Sequence, residues 1–186
     1  YYRHELDWLR FMAFLMVFLM HACPVEPEKY ATLGIPHSVA QFVISPIIQA
    51  GGYGVDLFFA LSAFLITELL LKEKESTGKV HVRAFYLRRI LRIWPLYITF
   101  ILVAMPYEVL SKGIPIRYYV FMLTFIGNWH AVLFGNLPTL CGNLWSVCLE
   151  EQFYIVWPNL LGRVQTKRFA SILIAMFLFS CLYRIL

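Results

Sequence analysis

Five stretches of this chain are apolar for about the length that a helix needs to cross a bilayer, and this bounds the fold before any motif is read. A spanning helix takes ~20 largely apolar residues at ~1.5 Å per residue. Residues 6–23, 55–71, 86–105, 144–161 and 169–186 are the candidates. Of the 186 residues, 60% are hydrophobic and 15% charged, and the mean hydropathy is +0.68. Soluble domains run nearer half apolar and about a quarter charged. A chain of this size has no interior large enough to hide so much apolar surface, so lipid is the solvent for part of it. The expected fold is all-α, a polytopic transmembrane helical bundle of about five spans with re-entrant or interfacial segments.

The charges orient the bundle. Lys72, Lys74, Lys79, Arg83, Arg88, Arg89 and Arg92 form the densest basic cluster. By the positive-inside rule it is cytoplasmic, which puts the N-terminus inside and His21 near the outer surface. The stretch 163–168 is basic again and lies inside for the same reason. Only one crossing then separates it from the outer end of the third span, so 118–134 is re-entrant or interfacial. The run 39–50 is short and holds Pro46, and it reads as interfacial too. Sixteen Lys and Arg stand against 11 acids. That excess is topological and does not point to nucleic acid. Cys23, Cys141, Cys148 and Cys181 have no metal-ligand spacing and read as small apolar residues, with a Cys23–Cys141 disulfide unsupported. The chain starts without Met and stops in an apolar run, as a piece of a longer protein does.

Four groups of residues stand out as carriers of chemistry. Arg10 and His21 are eleven positions apart, so they share one helix face, ~16 Å apart. An arginine inside a span needs a partner or a cavity, although snorkelling from the helix end is the plainer account. Glu150 and Glu151 sit mid-segment, ~100° apart round a helix, and so face different partners. An intramembrane acid suggests a site, and an interfacial helix is the alternative. Arg88, Arg89 and Arg92 make a basic face suited either to anionic lipid headgroups or to a polyanionic ligand. Gly51, Gly52 and Gly54, with Tyr53 and Asp56, form either an ordinary helix entry capped by Asp56 or a pocket rim.

Together these stretches resemble the acyltransferase-3 family of membrane O-acyltransferases. LDWLRFMAFLMVFLMH is similar to the family's first helix, with ten residues between its Arg and its His. GGYGVDLFFALSAFLI resembles its Gly-Gly-aromatic turn and following helix, FYLRRILRIWPLY its Arg-Arg-x-x-Arg element, and LWSVCLEEQFYIVWP its Leu-Trp-Ser to Glu-Glu-Gln-Phe-Tyr block. Ala63 stands where the family usually has Gly, between Ser62 and Phe64. On this resemblance residues 1–186 are the N-terminal part of a single membrane domain. It implies transfer of an acyl group, commonly acetyl, from cytoplasmic acyl-CoA to a hydroxyl of a carbohydrate or other cell-envelope or exported acceptor. It also implies the bacterial inner membrane and no permanently bound cofactor or metal. The expected catalytic residues are His21 as general base, Glu150 or Glu151 orienting it, and Arg10. Arg88, Arg89, Arg92, Gly51, Gly52, Tyr53, Asp56, Trp145, Ser146 and Tyr154 are expected to bind donor or acceptor. A transporter or flippase with an Arg/His/Glu path is the alternative, although no internal repeat supports it.

Overall fold

The computed structural model describes residues 4–164 and 166–185, and among these the regular structure is entirely helical. The helices are α1 (His4–Ala22), α2 (His37–Thr77), α3 (Val82–Lys112), α4 (Ile116–Leu123), α5 (Gly127–Phe134), α6 (Trp145–Arg163) and α7 (Thr166–Ile185). The expected all-α bundle is what the chain forms, and a helix occupies each of the five expected places. On length and composition α2 and α3 can each cross a membrane, and α1 with the 3₁₀ turn Pro27–Leu33, bent by 85°, makes a third. α6 has the length to cross but carries Glu150, Glu151, Gln152 and Asn159. The apolar centre of α7 is Leu173–Leu182. All four cysteines are free thiols. The chain divides into two compact units between Glu68 and Leu69.

In the first unit, residues 39–50, expected to be interfacial, are the first part of α2, 41 residues long. Pro46 has no N–H for the carbonyl four residues back and would end an ordinary helix. A π-turn at Ala40–Ile44 absorbs the mismatch, with the Ser45 N–H bonding the Ala40 carbonyl. The Ser45 hydroxyl donates to the Val25 carbonyl at 2.6 Å, and Tyr30 donates to Pro24 at 2.7 Å. The first bond docks the 24–36 turn on the start of α2, and the second closes the turn on itself. A 3₁₀ turn at Ala50–Gly52 then carries the helix past its glycines. At ~1.5 Å per residue α2 is about 60 Å long, twice the hydrocarbon core, so its charged end from Lys72 onward projects beyond it.

The glycines set how closely α1 and α2 meet. A Cβ at Gly51 would lie 2.5 Å from the Met16 carbonyl oxygen and 2.6 Å from Met20 Cβ. One at Gly54 would lie 2.6 Å from the Ala13 carbonyl and 2.9 Å from Val17 Cγ2. Helix association in lipid relies on such small residues, since there is no hydrophobic drive to bring helices together there. Ala13, fully buried, is the matching small residue on α1.

In the second unit, α3 and α6 run antiparallel and are tied at three levels. The Tyr86 hydroxyl donates to the Ile155 carbonyl (2.7 Å), the Trp94 indole N–H to Glu151 (3.0 Å), and Tyr97 meets Cys148 Sγ at 3.2 Å. α4 and α5, each eight residues long, are too short to cross and fold back on this pair. Phe125, between them, takes φ +57° and stacks on Tyr97 at 4.6 Å. Gln152 holds that turn by donating to the Phe125 carbonyl and to Asn128, both at 2.8 Å. Tyr97, Ile101, Tyr119, Met122, Phe125 and Cys148 form the centre of the core.

The glycine contact makes a paired prediction. Gly54→Ala should destabilise the protein by about 1–3 kcal/mol, because α1 must move off a backbone contact. Gly52→Ala, whose nearest added contact is Met20 Sδ at 3.9 Å, should change stability by less than about 0.5 kcal/mol. Thermal unfolding in detergent separates the two.

Candidate active site

In the first unit α1 is a continuous helix, so Arg10 and His21 do share one stripe. That stripe lies about 80° round from the face that packs on the glycines. Both side chains are exposed. Arg10 pairs with Asp7, one turn back, at 3.8 Å. His21 Nδ1 lies 2.8 Å from the Val17 carbonyl oxygen. A carbonyl only accepts, so Nδ1 is the donor in this contact.

The glycine turn is a packing device. Gly51 and Gly54 are spent on the approach to α1, while Tyr53 is 70% exposed and Asp56 is exposed. Asp56 caps nothing, because α2 continues upstream of it.

In the second unit the three arginines part company. Arg88 and Arg92 are exposed. Arg89 turns inward, its guanidinium 4.8 Å from the Tyr154 ring and 5.6 Å from Phe85, where its charge acts favourably on Glu151. The Tyr154 hydroxyl donates to Glu150 at 2.5 Å. Glu150 and Glu151 thus face different partners, as their spacing requires. Glu151 is 4% exposed, accepts from Trp94 through Oε2, and has no hydrogen-bond partner for Oε1 among the described residues. Tyr154 is buried inside this cluster. Trp145 and Ser146 open α6, the Ser146 hydroxyl donating to the Asn143 carbonyl at 3.1 Å. A cavity of about 450 Å³ begins at Arg92 and continues along Ile93, Leu96, Phe100, Leu144 and Val147, with an almost wholly apolar wall.

The structure gives three further polar groups a setting that the sequence did not indicate. Lys74 donates to the Leu161 and Val164 carbonyls, both at 2.7 Å, and so caps the C-terminus of α6. That bond sets the end of α2 beside the end of α6. Glu108 is fully buried yet satisfied by the Tyr119 hydroxyl (3.0 Å), the Leu140 N–H (2.8 Å) and the Lys112 ammonium (3.1 Å). His130 is buried among aromatic rings. For Glu108 the signal was an acid within a long apolar helix; for His130 there was none, since the turn that folds Tyr118 and Phe121 onto its ring leaves no mark in the residue pattern.

A family profile described as an acyltransferase domain matches residues 3–186, almost the whole chain. The chain belongs to the acyltransferase-3 family. The peptidoglycan O-acetyltransferase of Listeria monocytogenes is 34% identical over 124 residues, covering 61% of this chain and 20% of that protein. A provisionally named O-acetyltransferase of Staphylococcus aureus is 36% identical over 126 residues, with the same two coverages. A provisionally named peptidoglycan O-acetyltransferase of Bacillus subtilis is 35% identical over 128 residues, 60% of this chain and 19% of that protein. The chain spans about a fifth of the length of the curated relatives it matches. No solved structure matches it.

Within this acyltransferase-3 chain, the two glutamates should differ under mutation. Glu151→Ala strips the buried Trp94 N–H of its acceptor and should cost about 1–3 kcal/mol. Glu150→Ala should cost less, because its partner Tyr154 keeps the Arg89 and Phe85 ring contacts. Unfolding midpoints in detergent read the difference.

Proposed function

We propose that the protein is a membrane O-acyltransferase that moves an acyl group, acetyl by analogy with its relatives' names, from acyl-CoA to a hydroxyl of a cell-envelope carbohydrate. The relatives' names suggest peptidoglycan as the acceptor class. The donor is used on the cytoplasmic side of a bacterial inner membrane, with the N-terminus on that side. The observation that carries the reading is the contact of His21 Nδ1 with the Val17 carbonyl, on the stripe that Arg10 shares. With Nδ1 engaged by the Val17 carbonyl, Nε2 can take the proton of an acceptor hydroxyl. The hydroxyl oxygen then attacks the thioester carbon, and the C–S bond breaks to release the CoA thiol, which receives the proton. The tetrahedral oxyanion formed on the way needs a donor of positive potential. Arg10, on the same stripe but ~16 Å along it, is proposed to stabilise the acyl donor or hold the passage in shape.

The donor's charged and apolar parts suit the other unit. Arg88 and Arg92 offer exposed guanidinium forks of the kind that hold phosphates. The apolar cavity leading from Arg92 suits an uncharged pantetheine arm and acyl chain. Arg89 is given no donor contact here. It and Glu151 act as a positioning pair between α3 and α6.

Two kinetic outcomes test this reading. His21→Ala should lower kcat by about 10²- to 10⁴-fold, the usual worth of a general base, with helical circular dichroism unchanged. Full activity in that variant removes the mechanism. Arg92→Ala should raise KM for acetyl-CoA about 10-fold or more, as loss of a charged hydrogen bond does. With acetyl-pantetheine, which lacks the nucleotide phosphates, the same substitution should leave KM unchanged.

A further inference from the structure

His130 is the one histidine among the described residues that is almost fully buried, at 1% exposure, and neither ring nitrogen has a hydrogen-bond partner among those residues. Its ring is clamped by Tyr118 at 5.1 Å, Phe121 at 5.5 Å and Phe134 at 5.1 Å. Held in that clamp, it cannot turn to find a partner in the protein. A neutral imidazole offers one donor and one acceptor, and leaving both unmet costs about 1–3 kcal/mol each. Burial, helped by the Arg117 guanidinium, pushes the His130 pKa below the usual imidazole range. The group is therefore neutral at physiological pH and poorly suited to holding an anion.

The ring lines a cavity of about 210 Å³, together with Tyr118, Asn136, Gly142 and Trp145. Its wall is built rather than incidental. Glu108 anchors the loop through the Leu140 N–H, and the Tyr118 hydroxyl meets Thr139 Oγ1 at 2.8 Å. Trp145 is 40% exposed, and Asn136 is exposed at the cavity edge. The chemistry is that of a neutral, amphipathic ligand. An aromatic ring accepts the apolar face of a ring of C–H groups, while an amide and a neutral imidazole bond hydroxyls, which both donate and accept. The size admits one small ring, not an extended chain.

We infer that this cavity is a binding subsite for one pyranose unit of a carbohydrate, with His130 and Asn136 bonding its hydroxyls and Trp145 covering its face. The choice of carbohydrate over another hydroxylic ligand rests on the proposed function; the site rests on the cavity and its orphaned nitrogens. Equilibrium dialysis of the full-length protein in detergent against radiolabelled N-acetylglucosamine, without any acyl donor, tests it. Because no transfer is read, the outcome is independent of the acyl chemistry. Wild type should retain the sugar. His130→Phe, which keeps the aromatic packing and removes both nitrogens, should weaken retention about tenfold, as loss of one or two hydrogen bonds does. Asn136→Ala lies on an exposed loop, and it should weaken binding severalfold even if the first variant fails to fold. The inference is overturned by wild-type retention no greater than that of empty micelles, by retention of labelled acetate in place of the sugar, or by unchanged binding in Asn136→Ala and in a folded His130→Phe. In that last case ordered water alone satisfies the ring.

Discussion

A polar group inside hydrocarbon must find its partner within the protein, and the α3–α6 pair is arranged around that requirement. Tyr86, Trp94 and Tyr97 project from α3 at successive levels, and each meets a polar atom of α6. Asn159 adds a bond to the Tyr86 hydroxyl at 2.6 Å, and Lys74 closes the free carbonyls at the end of α6. Such bonds are worth only about 1 kcal/mol each in lipid, but they fix the register between the two helices. The α4–α5 turn can then pack against one end, with Gly127 close to Met122 and Cys148 because a side chain there would not fit.

Much of the candidate site could be read from periodicity. The stripe shared by Arg10 and His21 follows from 3.6 residues per turn, and the divergence of Glu150 and Glu151 follows from neighbours being ~100° apart. The apolar runs marked where helices form, because burial in lipid and in protein ask for the same residues. What remained hidden depends on partners far along the chain. The continuity of α2 through Pro46 needs a π-turn and the Ser45–Val25 bond, and no local rule announces either. Arg88 and Arg89 are equivalent in sequence. They part only because α6 presents Tyr154 and Glu151 to one of them. Glu108 is marked by its place in an apolar helix, but its partners Tyr119 and Leu140 come only with the fold.

The two units carry different groups. The first holds an imidazole bonded back to its own helix, on a stripe that the glycine contact does not use. The second supplies exposed arginines, an apolar cavity beside one of them, and a smaller polar cavity around His130. Of the two glutamates, Glu151 bonds across to Trp94 of α3, and Glu150 meets Tyr154 of its own helix.

Transfer of label by the purified full-length protein is the most direct test of the central claim. Given acetyl-CoA carrying radiolabel on the acetyl group and a polysaccharide acceptor with free hydroxyls, the protein should place label on the acceptor as a base-labile ester and release one CoA thiol per ester formed. Label that stays on CoA while the acceptor remains unmodified, with correctly folded protein, would contradict it.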